Sequence, residues 1–258
     1  MGPSSNGSGS QKVQNTILLS LPPGEFDTLS PKLFFAELPK HTLLNEIGEA
    51  IEWAYFINSG LASFLNVMGD GKSVEVGLTG KEGFVGVPLL AGFSTSPSRV
   101  VMQVDGSGFR ISTVDFQDVL KASPSLNRSL QRFSQVLGMQ ATQVAACNRL
   151  HEVDQRLARW LLMSQDRLAG DVVPLTQETL ANMLGTRRAS VTEAAGILQK
   201  AGLITYRRGD VRIDNRCGLE AASCECYVAM RRLADKWRSE ASYEWGGAQA
   251  VGVTIGKE

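Results

Sequence analysis

From about Phe34 to Ser112 the chain alternates apolar and polar residues in short runs broken by turn formers, the two-residue period of strands. "WAYFINSGLASFLNVM" predicts a strand, a break at Gly60 and a second strand. In "GDGKSVEVGLT" Asp70-Gly71 signals a hairpin, and Val74, Val76 and Leu78 alternate after it. Several short strands at this spacing predict a small antiparallel barrel or roll. The period then lengthens. Apolar or small residues recur at Leu126, Leu130, Phe133, Leu137, Gln140, Val144 and Cys147. The gaps alternate between four and three, a heptad seam along one helix with Gln140 as its single polar member. A helix lying on its own barrel can show such a face, but unbroken alternation favours a partner helix, most simply that of a second copy. Next, "NRLHEVDQRLARWLL" changes phase, with Asp154 as N-cap candidate and Leu157, Trp160, Leu161, Ser164 and Leu168 as a new face. The domain boundary is expected near Asn148–Val153.

The stretch "LTQETLANMLGTRRASVTEAAGILQKAGLI" carries two helical patterns around one glycine. Thr176 caps the first, and Glu178 places an acid near its positive dipole end. Gly185 stops that helix because glycine adopts the left-handed conformation without a Cβ penalty. So short a connection makes the two axes cross steeply, as in a helix-turn-helix. Ala181 is small where the helices cross, and Val191 packs back on the first. "LITYRRGDVRIDN" follows as two short strands joined at Gly209-Asp210, which makes the unit a winged helix. A recognition helix enters the major groove N-terminus first, and arginine presents a fork matching guanine O6 and N7. Arg187, Arg188, Ser190, Thr192 and Glu193 are therefore the expected DNA-facing residues, with Thr176 and Gln177 on the preceding helix. Arg207, Arg208 and Arg212 on the wing can reach phosphates.

Composition changes this picture little. The 258 residues allow two ordinary domains with real cores, and the net charge of zero gives no global attraction to nucleic acid. Residues 187–216, however, hold seven basic against three acidic side chains, a local excess where DNA contact is expected. "MGPSSNGSGSQ" predicts a flexible start, and "YEWGGAQAVGVTIGKE" has no usable period. With no long apolar run, no signal-peptide layout and four scattered cysteines, the chain is expected to be cytoplasmic and free of membrane contact.

A β-roll, a long helix and a winged helix in this order resemble the cyclic-AMP receptor protein/Fnr (Crp/Fnr) superfamily of bacterial transcription regulators. The likeness covers about Leu33 to Tyr227 and is most specific in the helix-turn-helix stretch, with echoes in "YFINSGLASFL" and "GKEGFVGVPLL". It implies an α+β fold: a cyclic-nucleotide-binding-like jelly roll over 31–123, a dimerisation helix over 124–150 and a winged helix over 151–240. Segments 1–30 and 241–258 are expected to be flexible. The resemblance implies a homodimer on a two-fold symmetric site in double-stranded DNA, with RNA polymerase as a further partner. It also implies phosphate contacts from Thr176 and Ser190 and a base read by Arg188. Glu193 stands where many members place a basic or polar reader, and it can accept from a cytosine amino group.

The effector pocket departs from the family pattern. Members that bind cyclic nucleotide carry a Gly-Glu step and then an arginine followed by small residues. Here the step is Gly86-Val87, and Arg99 precedes Val100-Val101. An unpaired ribose hydroxyl in a buried site costs ~1–3 kcal/mol, so cyclic AMP is not expected. Gly86 and Arg99 remain weak candidates, and another ligand or none stays open. Cys217, Cys224 and Cys226 read best as buried structural thiols. On a continuous helix Cys224 and Cys226 point ~200° apart, and the iron–sulfur members carry their cluster near the N-terminus. A redox role stays open; no metal and no cofactor are expected. With His41 as the roll's single histidine and no nucleophile–base pair, no enzyme is expected either.

Overall fold

The computed structural model describes residues 11–168, 170–207, 209–244 and 254–255, with backbone alone over 237–244. The chain opens with β1 (Gln11–Lys12), α1 (Thr16–Leu19) and α2 (Pro23–Leu29). Asn15 starts α1: its side chain accepts from the amides of Ile17 and Leu18 and donates to the carbonyls of Ile57 and Gly83, at 2.8 Å each. Ile17, Leu18, Leu21 and Leu29 are buried against the roll. The expectation of a flexible 1–30 is therefore corrected over 11–30, where a capped apolar run and Pro23 in a first helical turn outweigh the Gly/Ser-rich start.

The roll comprises β2 (Phe34–Leu38), β3 (Leu43–Asn45), β4 (Trp53–Val67), β5 (Ser73–Thr79), β6 (Phe84–Val85) and β7 (Arg99–Ser112). The strands pair antiparallel in the order β2-β7-β4-β5, with β3 on β7 and β6 on β4. β4 is one strand of 15 residues rather than the two expected. Gly60 has φ 85° at a shift in register, and a Cβ there would lie 2.8 Å from the carbonyl oxygens of Val104 and Asp105. The glycine bends the strand without ending it. Phe56, Phe84, Phe109 and Phe116 fill the roll, Phe84 and Phe116 stacked with centroids 5.2 Å apart.

α3 (Thr113–Ala122), capped by Ser112, leads into α4 (Pro124–Leu150). The seam on α4 faces its own chain. Leu126, Leu130 and Phe133 lie in the roll core, and Leu137 packs on Gly77. The Leu78 amide donates to Gln140 Oε1 at 3.2 Å, and Cys147 belongs to the C-terminal core. The partner-helix reading of Leu126, Leu130, Phe133, Leu137, Gln140, Val144 and Cys147 is thus corrected: a period reports that one face is covered, not what covers it.

The remaining elements are α5 (Val153–Gln165), β8 (Val172–Val173), α6 (Gln177–Leu184), α7 (Arg188–Lys200), β9 (Ile204–Arg207), β10 (Asp210–Ile213), α8 (Arg216–Ala222), α9 (Cys226–Glu244) and β11 (Thr254–Ile255). α5 is capped by Glu152 in a capping box with Gln155, so Asp154 lies in the first turn instead. β8, β10 and β9 form a three-stranded sheet beside α6 and α7. The wing turns between Arg207 and Asp210, one residue earlier than expected. β11 pairs with β1 and buries Ile255, so the tail 241–258 is corrected at 241–244, which are helical, and at 254–255. A second break matters more. The helix expected across Cys224 and Cys226 is interrupted between Ala222 and Cys226, with Ser223 extended at ψ 159°. The two thiols are therefore not held on opposite sides of one helix.

The C-terminal domain rests on the roll through polar contacts. Buried Glu75 on β5 accepts from Ser63 Oγ at 2.5 Å and from Trp160 Nε1 at 2.7 Å. Burial pushes its carboxyl up to about 7. Arg167 pairs with Glu82 at 2.6 Å, and Lys40 Nζ donates to the Pro174 carbonyl at 2.7 Å. Val74 packs against Gly185. Among the described residues no helix is long and apolar enough to cross a membrane.

Candidate nucleic-acid interface

α6 and α7 begin in opposite ways. Thr176 caps α6 by accepting from the Thr179 amide at 3.2 Å, and Glu178 sits in the first turn. Gly185 ends α6 at φ 57°, and the Thr186 amide donates back to the Ala181 carbonyl at 3.0 Å. This Schellman-type reversal brings the chain into α7 within three residues. Ala181 and Val191 are buried between the helices, with Leu180 and Leu184. α7 starts with Arg187 at its N-cap, without a side-chain cap and without an acid in its first turn. A polar cap is worth about 1 kcal/mol, and a cation at the positive end of a helix dipole is unfavourable. Nothing in folding stability explains that choice of residues. Uncapped amides beside two guanidiniums have the chemistry that suits an anion such as phosphate.

Arg187, Arg188, Thr192 and Glu193 are exposed and Ser190 is half-buried, all on the first two turns of α7. Thr192 Oγ1 donates to Gln177 Oε1 at 2.9 Å, so these two residues tie the helices together as well as standing on the surface. Thr176 is exposed at the start of α6. Arg207 is exposed at the end of β9, while Arg208 lies outside the described residues. Arg212 is held by Asp214 at 2.7 Å, which lowers the Asp214 carboxyl after a larger contribution from the Thr205 hydroxyl. Tyr206 anchors the wing: its hydroxyl donates to the Leu175 carbonyl at 3.2 Å, and burial raises its phenol.

The roll offers a second feature. A groove of about 710 Å³ opens between α4 and the turn after β6, lined by Val87, Pro88, Phe93, Arg128, Arg132 and Gln135 among others. Neither effector candidate lines it. Gly86, at φ 129°, turns the chain where a Cβ would meet Ala54 and Phe84. Arg99 starts β7 and pairs with Glu46 at 2.8 Å. The side-chain hydrogen bond from Arg99 is the main reason the Glu46 carboxyl titrates below its usual range. Arg128 and Arg132, one turn apart on α4, are residues that sequence reasoning missed. Their i,i+4 spacing is the available signal, and it lies beside the apolar seam that dominates the pattern.

The Crp-like helix-turn-helix domain family matches residues 155–222, and the cyclic nucleotide-binding domain family matches residues 35–123. Together they span more than half of the chain. No curated protein sequence matches it. Among solved structures, FixK2 from Bradyrhizobium japonicum is similar at 16% identity and TM-score 0.64, over 74% of this chain and 98% of that one. The c-di-GMP-responsive global regulator CLP of Xanthomonas campestris is similar at 19% identity and TM-score 0.62, over 74% and 99%. A CRP-family transcriptional regulator from Thermus thermophilus, TTHB099, is similar at 18% identity and TM-score 0.61, over 73% and 96%. At these identities the structures speak for the fold. The two domain families speak for descent, and they fall in the superfamily's order on the two halves that the long helix joins: the chain belongs to the Crp/Fnr superfamily of transcription regulators.

Proposed function

We propose that the chain works in the cytoplasm as a homodimer that binds a two-fold symmetric DNA site through α7 and does so without cyclic AMP. The observation that carries the reading is the start of α7, where Arg187 and Arg188 stand exposed at an uncapped helix N-terminus. Arg188 is the base reader, Thr176 and Ser190 hold phosphates, and Arg207 anchors the wing. Because the seam faces inward, dimerisation uses the opposite face of α4. There Gln135, Gly138, Thr142, Ala145 and Arg149 are exposed, and small side chains let two such helices approach closely. A two-fold interface needs one self-complementary patch, and this stripe supplies it. Independence from cyclic AMP is supported by Val87, an aliphatic side chain in the groove wall that cannot accept a ribose hydroxyl.

The test pairs sedimentation with DNA binding. Gly138→Glu with Ala145→Glu is expected to give a monomer with lost operator affinity. A variant that stays dimeric moves the interface elsewhere. A second reading, a ligand-gated regulator, is favoured by Arg128 and Arg132 facing an apolar wall across the groove, which suits an anionic small molecule. Melting shifts with a panel of nucleotides decide it, since a ligand at 100 times its Kd stabilises by about 2.7 kcal/mol.

A further inference from the structure

The end of α4 and the break between α8 and α9 bring four metal-binding side chains to one point. Cys147 lies in the last turn of α4, and His151, the extended residue that caps it, donates its amide to the Cys147 carbonyl at 3.1 Å, which sets the two one turn apart. Cys224 lies in the break and Cys226 opens α9, so the change of backbone direction between them turns both thiols inward. The three Sγ atoms and the His151 ring nitrogen all lie within 4.8 Å of one another. Cys147 Sγ is 3.5 Å from Cys224 Sγ, and Cys226 Sγ is 3.6 Å from His151 Nδ1. A tetrahedral zinc ion, ~2.3 Å from sulfur and ~2.1 Å from nitrogen, sets sulfurs ~3.8 Å apart and sulfur and nitrogen ~3.6 Å apart. These two edges come within about 0.3 Å of those values, and the wider separations in the set close by about 1 Å at most on binding. A cluster of several iron atoms needs its ligands spread around a larger body.

The surroundings are those of a metal site. His151 Nε2 lies 3.0 Å from Glu225 Oε2, which fixes the proton on Nε2 and leaves the Nδ1 lone pair facing the thiols. Gln143 Nε2 donates to Cys226 Sγ at 3.1 Å, a bond that a thiolate accepts better than a thiol. Cys147, Cys224 and Cys226 are buried. Three thiolates around a divalent ion leave one negative charge, and buried Arg156 and Arg159 both act electrostatically on Cys147. Each guanidinium has an Nε without a partner among the described residues. A Cys147–Cys224 disulfide would use two of these groups and leave Cys226, His151, Gln143 and Glu225 without a role. Ordinary core packing explains the set no better, since apolar side chains fill such a space without four polar atoms in contact.

We propose that Cys147, His151, Cys224 and Cys226 form a structural zinc site that fastens the start of α9 to the hinge between α4 and α5. All four positions are filled by protein, which leaves no open coordination for catalysis. The site joins the last turn of the long helix to the helices that follow the wing, so it sets the angle at which the winged helix leaves α4.

The experiment uses the full chain, purified without added metal or chelator. Elemental analysis is expected to give roughly one zinc per chain. Cys217→Ser, which alters the exposed fourth thiol, is expected to keep the full amount, whereas Cys224→Ser and Cys226→Ser each lose most of it. Should those serine variants fail to fold, two measurements on the wild type still decide. Cobalt exchanged into the site is expected to give the intense visible bands of a tetrahedral thiolate complex. Thiol titration of the native protein should find one reactive cysteine, rising fourfold once a chelator strips the metal. Zinc well below stoichiometry with no cobalt spectrum overturns the proposal. So does a Cys147–Cys224 disulfide mapped by mass spectrometry, or stoichiometric iron with a visible chromophore.

Discussion

The C-terminal domain has two faces that use the same residue type in opposite ways. On the face turned to the roll, Arg156 and Arg159 are buried, and Arg156 donates to the Leu184 carbonyl at the end of α6. On the outward face Arg187 and Arg188 are exposed at a helix start that is left without a cap. The inward arginines are fixed by the fold: without Arg156 the Leu184 carbonyl would lose its donor, and Arg159 donates to Met163 Sδ at 3.3 Å. The outward ones bring neither a cap nor a favourable dipole contact, which is what the proposed DNA contact would explain. Burial and capping together thus separate arginines that the fold uses from arginines that it does not, where charge alone does not.

The largest expected effect lies on the inward face, at Glu75. Its folded pKa of about 7 stands above its ordinary 4.5, because burial penalises the carboxylate. The penalty is absent below pH 4.5, grows as the pH rises and is complete above pH 7, where it reaches about 3 kcal/mol. Glu75→Gln keeps an acceptor for Trp160 Nε1, so it should stabilise the protein at pH 8 and change little at pH 4.5. Denaturant melts at both values measure this, and an equal effect at the two pH values would show that ionisation is not the cause. The next effect is on the outward face. Arg188→Ala is expected to cost ~1–3 kcal/mol on the cognate site and to relax preference at one symmetric base pair, with folding stability unchanged. A matching loss on scrambled DNA would make Arg188 a phosphate clamp instead.

The contrast between the two helix starts is sharpened by a third substitution. Thr176→Ala removes the cap of α6 and should lower stability by about 1 kcal/mol, while Arg187→Ala leaves stability unchanged or slightly raised. Thermal melts of both variants settle the order. The smallest effect is expected at the wing. Arg207→Ala should weaken all sequences alike and lower the salt slope of DNA binding by about one per subunit, seen in a salt titration.

How much of this was legible in the sequence varies with how local the signal is. The helix-turn-helix was legible because Thr176, Ala181, Gly185 and Val191 interact within one short unit. The face of α4 was legible but its partner was not, since burial by β5 or by a second helix leaves the same period. The cysteine cluster was hidden for a different reason: nothing in "AASCECY" announces a helix break, and that break reverses where Cys224 points. The groove required knowing that α4 lies beside the turn after β6, a long-range fact that no local pattern holds.

β5 has a consequence in mechanics. Within seven residues this edge strand bears on three elements in turn: Val74 on the turn before α7, Glu75 on α5, and Leu78 on Gln140 of α4. It acts as a spar with three bearings. If the winged helix swings, the strand must ride with it or lose all its seats on that side together. Packed interfaces exchange discrete seatings rather than deform gradually, so with three bearings on one strand a swing of the winged helix would have to break these contacts together rather than one at a time.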